Sequence, residues 1–202
     1  MLISGLQLQG TQVLSLHLGA PIARISELVI DPNDLSIIAF RLAGPQVGGD
    51  NGDILETRSI REFSEIGMII DSIDELVHRS DVIHLDEIMN LNFHLLDLKV
   101  LTKTGKKLGK VEDFTIDPAS FRIMQVIVKR PTFKSFVDPE LTIGRSQISE
   151  VTDREIIIKS KSEKALKKSN AEEFVPNFVN PFRKEPNFAP IRNQTPDEED
   201  TA

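Results

Sequence analysis

Residues 100–128, VLTKTGKKLGKVEDFTIDPASFRIMQVIV, read as a strand, a glycine turn, a second strand, an Asp-Pro turn and a third strand. Residues 14–42, LSLHLGAPIARISELVIDPNDLSIIAFRL, carry the same signals at the same intervals. Gly19 corresponds to Gly105, Ile30-Asp31-Pro32 to Ile116-Asp117-Pro118, and Phe40 and Leu42 to Val126 and Val128, each pair 86 residues apart. The chain therefore contains an internal repeat, and each copy is built from hairpins. In Asp31-Pro32 and Asp117-Pro118 the proline presets φ for a turn and the aspartate caps it. The spacing Ile22, Ile25, Leu28, Ile30 by itself permits a helix. Its counterpart, Leu108, Val111, Phe114, Ile116, contains Gly109 and follows Gly105, which favours a bent or bulged strand in both copies.

Strand-like runs follow each hairpin, 54–60 in the first copy and 141–148 in the second. Gly67-Met68-Ile69-Ile70 then matches Glu155-Ile156-Ile157-Ile158 at an offset of 88, a drift that loops absorb. Ser72-Ile73-Asp74-Glu75 has capping-box spacing and predicts a short helix through His78. Residues 85–98 connect the copies, either as a helix through Leu85, Ile88, Leu91 and Leu95 or as an irregular segment packed across the junction. The run from Lys159 to Lys168 is basic and fits a helical extension, and the Pro- and Asn-rich stretch beyond it reads as disordered.

The 202 residues suffice for two small domains, and an apolar fraction of 40% suffices for their cores. The aromatics are phenylalanine alone, so Val, Ile and Leu must fill the interior. No cysteine is present, which excludes disulfides and thiolate chemistry. The first residues carry no basic and apolar leader pattern, and no stretch has the length of a membrane helix. A cytoplasmic chain without a membrane span is expected. The net charge of −7 is uneven: residues 1–88 hold 5 basic against 14 acidic residues, and the first lysine is Lys99. So acidic a first half repels phosphate backbones, argues against direct nucleic-acid binding and favours a basic protein partner.

Residues Val100, Gly105, Gly109, Val111, Asp113, Ile116-Asp117-Pro118, Ser146, Ile148 and Val151 together resemble the PRC-barrel, the small β-barrel of the photosynthetic reaction-centre H subunit and of the C-terminal half of the ribosome maturation factor. The first copy resembles it more loosely, through Gly19, Ala23, Ile25, Glu27, Ile30-Asp31-Pro32, Arg58, Ile60 and Phe63. The resemblance implies an all-β fold of two tandem small PRC-barrel-like barrels with short helical segments, to which composition adds a disordered C-terminal tail. The expected divisions are a first domain at 1–84, a linker at 85–94, a second domain at 95–160 and a tail at 161–202. It also implies a non-enzymatic interaction module, since the motif consists of turn and core residues.

Candidate chemistry is sparse. His17, His78, His84 and His94 have no ligand spacing, so no metal site is expected. Asp71, Asp74 and Glu75 sit where acids stabilise a helix start. The loop Gly44–Gly52 lacks the Lys-Ser/Thr ending of a phosphate loop and has acids beside it. No cofactor and no catalytic residue is expected. Lys103, Lys106, Lys107 and Lys110, with Lys99 near, lie around the second glycine turn, where they read first as a solvated turn and alternatively as a candidate basic patch. Phe133 and Phe136, in a loop whose first-copy equivalent is polar, are candidate protein contacts or packing residues. Phe178, Phe182 and Phe188, each beside Pro and Asn, resemble an array of docking motifs, with packing back on the barrels or an inert tail as the alternatives. Gly19, Asp31, Pro32, Gly105, Gly109, Asp117 and Pro118 are assigned to turns. The expected function is a protein-interaction scaffold or adaptor, with a small-subunit ribosome-assembly factor that binds a ribosomal protein as the alternative.

Overall fold

The computed structural model describes residues 2–131 and 140–159. The fold is all-β with a few short helical segments. In chain order the elements are β1 (Ile3–Ser4), α1 (Gly5–Leu8), β2 (Gln12–Ser15), β3 (Ala20–Asp31), β4 (Ser36–Ala43), β5 (Ile54–Glu56), β6 (Glu62–Ser64), β7 (Gly67–Ile70), α2 (Ile83–Asn90), β8 (Lys99–Thr102), β9 (Lys107–Asp117), β10 (Arg122–Lys129), β11 (Glu140–Gly144), β12 (Ile148–Val151) and β13 (Glu155–Ile158). The strands join into one 13-stranded network.

The sheet order shows the repeat directly. Its main path runs β12-β13-β8-β9-β10-β4-β3-β2-β7-β6, with β11 on β10 and β5 on β4. Each half is one hairpin flanked by a parallel pair, β2 with β7 and β8 with β13. The path does not close: β12 and β6 are its two ends. The expectation of two closed barrels is thus met only as an all-β architecture with a repeated strand order. The ambiguous run Ile22–Ile30 is strand. β3 carries an extra residue at Ser26 against β4, and β9 carries one at Glu112 against β10, at the same repeat position. A second bulge, at Ile38 and at Met124, also recurs. These bulges bend the long strands and break the simple alternation that sequence patterning relies on.

The hairpin turns are held by their aspartates. Asp31 Oδ1 accepts from Asn33 N–H at 2.8 Å, and Asp117 Oδ1 from Ala119 N–H at 3.3 Å. The Asp117 carboxyl is held below its ordinary range, mainly by the Ser120 hydroxyl. Each turn ends on a bulky apolar residue with positive φ, Leu35 at 50° and Phe121 at 54°. Such residues avoid the left-handed region at a cost of roughly 1–2 kcal/mol each. Both side chains are buried, and burying a Leu or Phe returns about 1.5–3 kcal/mol. They are buried where the halves meet. Ile37 N–H donates to Phe121 O and Ile123 N–H to Leu35 O, both at 2.9 Å. Phe40 of the first half meets Phe121 edge-to-face, with ring centroids 5.7 Å apart.

One hydrophobic core runs through both halves, from Leu8, Val13 and Phe40 to Phe114, Val126 and Ile158. The N-terminal arm reinforces it by crossing over. β1 pairs with β9, Ser4 Oγ donates to Asp113 Oδ2, and Gly5 lies so close to the Phe114 ring that a Cβ would stand 2.4 Å from it. The segment 91–96 returns along β3, where Phe93 lines a small cavity with Leu28 and Ile30.

Two local expectations are corrected, and the alternative left open for the connector is resolved. The helix expected from Ser72 through His78 is only a 3-10 turn at Ile73–Glu75. Val77 cannot stay helical because its N–H and C=O both pair with Ile54, at 2.9 and 3.1 Å. The strands expected at 54–60 and 141–148 each break at a 3-10 corner, Thr57–Ser59 and Arg145–Gln147. The connector is helical only over Ile83–Asn90, packed by Leu85 and Ile88 on Val29 and Ala39. Positive φ at Asn92 follows its end. No described helix is long and apolar enough to cross a membrane.

Gly109 is a close-approach position: an added Cβ would lie 2.1 Å from Lys129 O. Gly109→Ala should therefore destabilise by about 1–3 kcal/mol, the usual cost of overpacking. Ala23→Gly, at the same repeat position in the first half, should cost about 1 kcal/mol or less. Urea midpoints of the two variants measure the difference.

Candidate functional site

The second half displays a row of lysines that the first half does not. Lys99 on β8 lies opposite Lys110 on β9, and Lys110 lies opposite Lys129 on β10. Residues directly opposite on neighbouring strands share a face. Glu155 on β13 pairs with Lys99, and Glu140 on β11 pairs with Lys129. The row across five strands thus reads Glu, Lys, Lys, Lys, Glu. With strands about 4.8 Å apart, the three lysines span roughly 10 Å.

Like charges directly opposite one another destabilise a sheet. Here two acids offset the repulsion. Asp97 approaches Lys110 Nζ at 3.6 Å, and Glu112 accepts from Lys129 Nζ. Glu112 is the extra residue of the β9 bulge, so the bulge is what brings its carboxylate within reach of Lys129. That contact raises the Lys129 pKa, first through the hydrogen bond and then through the charge. The lysine heads remain exposed. Beside them lies a groove of about 360 Å³, with Lys107, Lys110, Lys129 and Arg130 among its walls. A surface of this kind can bind carboxylates or other anions.

The first half lacks the row because Gln12, Arg24 and Ala43 stand in it. Its one cation, Arg24, is turned to the backbone, with Nη1 on Gly10 O at 2.8 Å.

Of the candidates read from sequence, Lys107 and Lys110 line the groove, while Lys103 and Lys106 flank Gly105 at the tip of the β8–β9 turn. Buried Thr102 builds that tip, with its hydroxyl accepting from Lys106 N–H at 3.1 Å. Lys129 was missed. Seven residues up each strand from the Asp117–Arg122 pair, Lys110 and Lys129 fall opposite each other, since the two bulges cancel. Counting register from the Asp-Pro turn would have found it. Gly19 and Gly105 have φ of 61° and 79°, as left-handed turn positions require. Gly109 lies within β9 and not in a turn. Phe133, Phe136, Phe178, Phe182 and Phe188 lie outside the described residues, as does the 159–168 run beyond Lys159.

The other sequence candidates take structural parts. The loop Gly44–Gly52 closes on itself through Gly48 N–H to Gly52 O at 2.6 Å. Asp71 pairs with Arg61, and Asp74 hydrogen-bonds with Ser72. Among the described residues no three His, Asp or Glu side chains converge as metal ligands.

Glu112→Gln should lower the Lys129 pKa toward its ordinary value. With Glu112 present, the raised folded-state pKa gives a contribution that is full below the unfolded lysine pKa and lost as pH rises through the folded one. NMR titration of the Lys129 side chain in both proteins measures the shift; equal titration curves would show that the contact is not formed in solution.

Compared with known protein families, residues 93–164 match the PRC-barrel domain. No curated protein matches the chain. The matched segment starts just before β8 and holds every strand of the second half, the hairpin with its bulges and the whole lysine row. Residues 93–164 of this chain are a PRC-barrel domain.

Proposed function

We propose that the chain is a non-enzymatic adaptor that binds protein partners, and that its PRC-barrel domain presents the lysine row to an acidic peptide segment. The row carries this reading. Three like charges in register are unfavourable for the sheet, and the residues that offset them are recruited from a bulge and a left-handed turn. The fold does not need such a row, since Gln12 and Ala43 stand in its place in the other copy. An acidic peptide fits better than nucleic acid, because the first half of the chain repels a long polyanion. The first half is, on this reading, a second and diverged PRC-barrel, with the same strand order and the same bulges. The absence of cysteine agrees with a cytoplasmic protein.

Lys99, Lys110 and Lys129 changed together to Glu should cut recovery of acidic partners in a crosslinked pull-down by about tenfold or more, since each surface charge contributes a few tenths to one kcal/mol. An unchanged partner list would sink the role of the row.

A second reading is favoured by the acidic surface of the first half: a factor in small ribosomal subunit assembly that meets a basic ribosomal protein. Sedimentation of lysate at low salt should then place the chain with small-subunit precursors. Migration only at the top of the gradient would remove this reading and leave the first intact.

A further inference from the structure

The repeat fills one cleft at the junction and leaves its twin open. On the filled side, Arg145 stands at the 3-10 corner after β11. Its Nη1 donates to Leu35 O at 2.9 Å and approaches Ile123 O at 3.5 Å. Leu35 O also accepts from Ile123 N–H. The carbonyl thus serves the strand with one lone pair and a guanidinium with the other.

On the twin side, Thr57 occupies the position of Arg145, 88 residues earlier and likewise first in its 3-10 corner. The threonine cannot reach across. Its hydroxyl donates to Ile38 O in its own half, at 3.1 Å. Phe121 O, the counterpart of Leu35 O, accepts from Ile37 N–H. A cleft of about 550 Å³ opens beside it, walled by Thr57, Arg58, Phe63, Pro118, Ser120 and Phe121.

We propose that this cleft binds an arginine side chain of a partner protein, with the guanidinium donating to Phe121 O as Arg145 donates to Leu35 O. The filled twin is the template: there the second lone pair of Leu35 O, the counterpart of Phe121 O, accepts from a guanidinium. The planar fork supplies several donors, and the half-buried Phe63 on the wall offers a ring to its face. The charges nearby permit a cation. Arg58 is held by Glu56 at 2.5 Å and Arg61 by Asp71 at 2.6 Å. The wall itself carries Arg58, Arg61 and Glu62, and with Glu56 and Asp71 paired to the two arginines the five side chains sum to −1. The acidic first half draws a basic partner toward the same place. The site lies on the junction and is independent of the lysine row, which serves partners of opposite charge.

The test titrates Nα-acetyl-arginine amide into the isotope-labelled full chain and follows amide NMR shifts. Saturable shifts are expected at Ile37, Thr57, Ser120 and Phe121. The lysine and citrulline analogues should bind about tenfold more weakly, because they lack the charged fork. Thr57→Arg fills the cleft from within the chain and should abolish the shifts. Arg145→Thr copies the first half into the second and should add a new set of shifts at Leu35 and Ile123. The proposal is overturned by an absence of saturable shifts, by equal binding of citrulline, or by unchanged shifts in Thr57→Arg. If Thr57→Arg does not fold, Arg145→Thr decides: no new shifts at Leu35 would overturn it.

Discussion

Two reciprocal hydrogen bonds join the halves, from Ile37 N–H to Phe121 O and from Ile123 N–H to Leu35 O. Much of the arrangement depends on them. They form because each Asp-Pro turn ends in a left-handed residue whose carbonyl faces the other half. Leu35 and Phe121 are costly residues for that conformation, since glycine would adopt it freely. They stay because their side chains close the core at the junction, a gain at least as large as the strain. With the junction formed, β4 and β10 become neighbours and the two repeats share one interior. The crossing of β1 onto β9, with Ser4 and Gly5 fitted to Asp113 and Phe114, then adds a second tie between them.

Shared architecture makes the differences between the copies informative. The hairpins, the bulges and the 3-10 corners recur at matching positions. Three features do not: the lysine row of the second half, the arginine at the second corner, and the surplus of acid in the first half. None of these is required to build the strands. Lys110 and Lys129 sit where Arg24 and Ala43 sit, and Arg145 sits where Thr57 sits. The same backbone therefore presents a row of lysines in register on one copy and an open cleft beside the other.

Much of the fold was legible in the residues. The glycine and Asp-Pro turns repeat with β-branched runs between them, and turn chemistry depends on few residues close in sequence. Local expectations failed where a distant backbone group intervened. Ser72 to Glu75 had the pattern of a helix start, but Val77 is bonded to Ile54, some twenty residues away, and the helix stops. The strands at 54–60 and 141–148 had adequate composition, yet the sheet turns a corner in each. The site was half legible. Lys107 and Lys110 were visible as a cluster around the turn. Lys129 joined them only through strand pairing, and Glu112 only through a bulge.

The sequence by itself determined the hairpins, the repeat and the all-β class, because these follow from φ restrictions at Gly and Pro and from alternating burial along a strand. Tertiary structure alone decided that the halves join into one open sheet with a common core. It also decided which lysines stand in register and which corner is filled. Those outcomes rest on contacts between residues far apart in the chain: Ile37 with Phe121, Arg145 with Leu35, Ser4 with Asp113. Such contacts leave no periodic trace in sequence, since each depends on where a whole strand is placed and not on its own pattern.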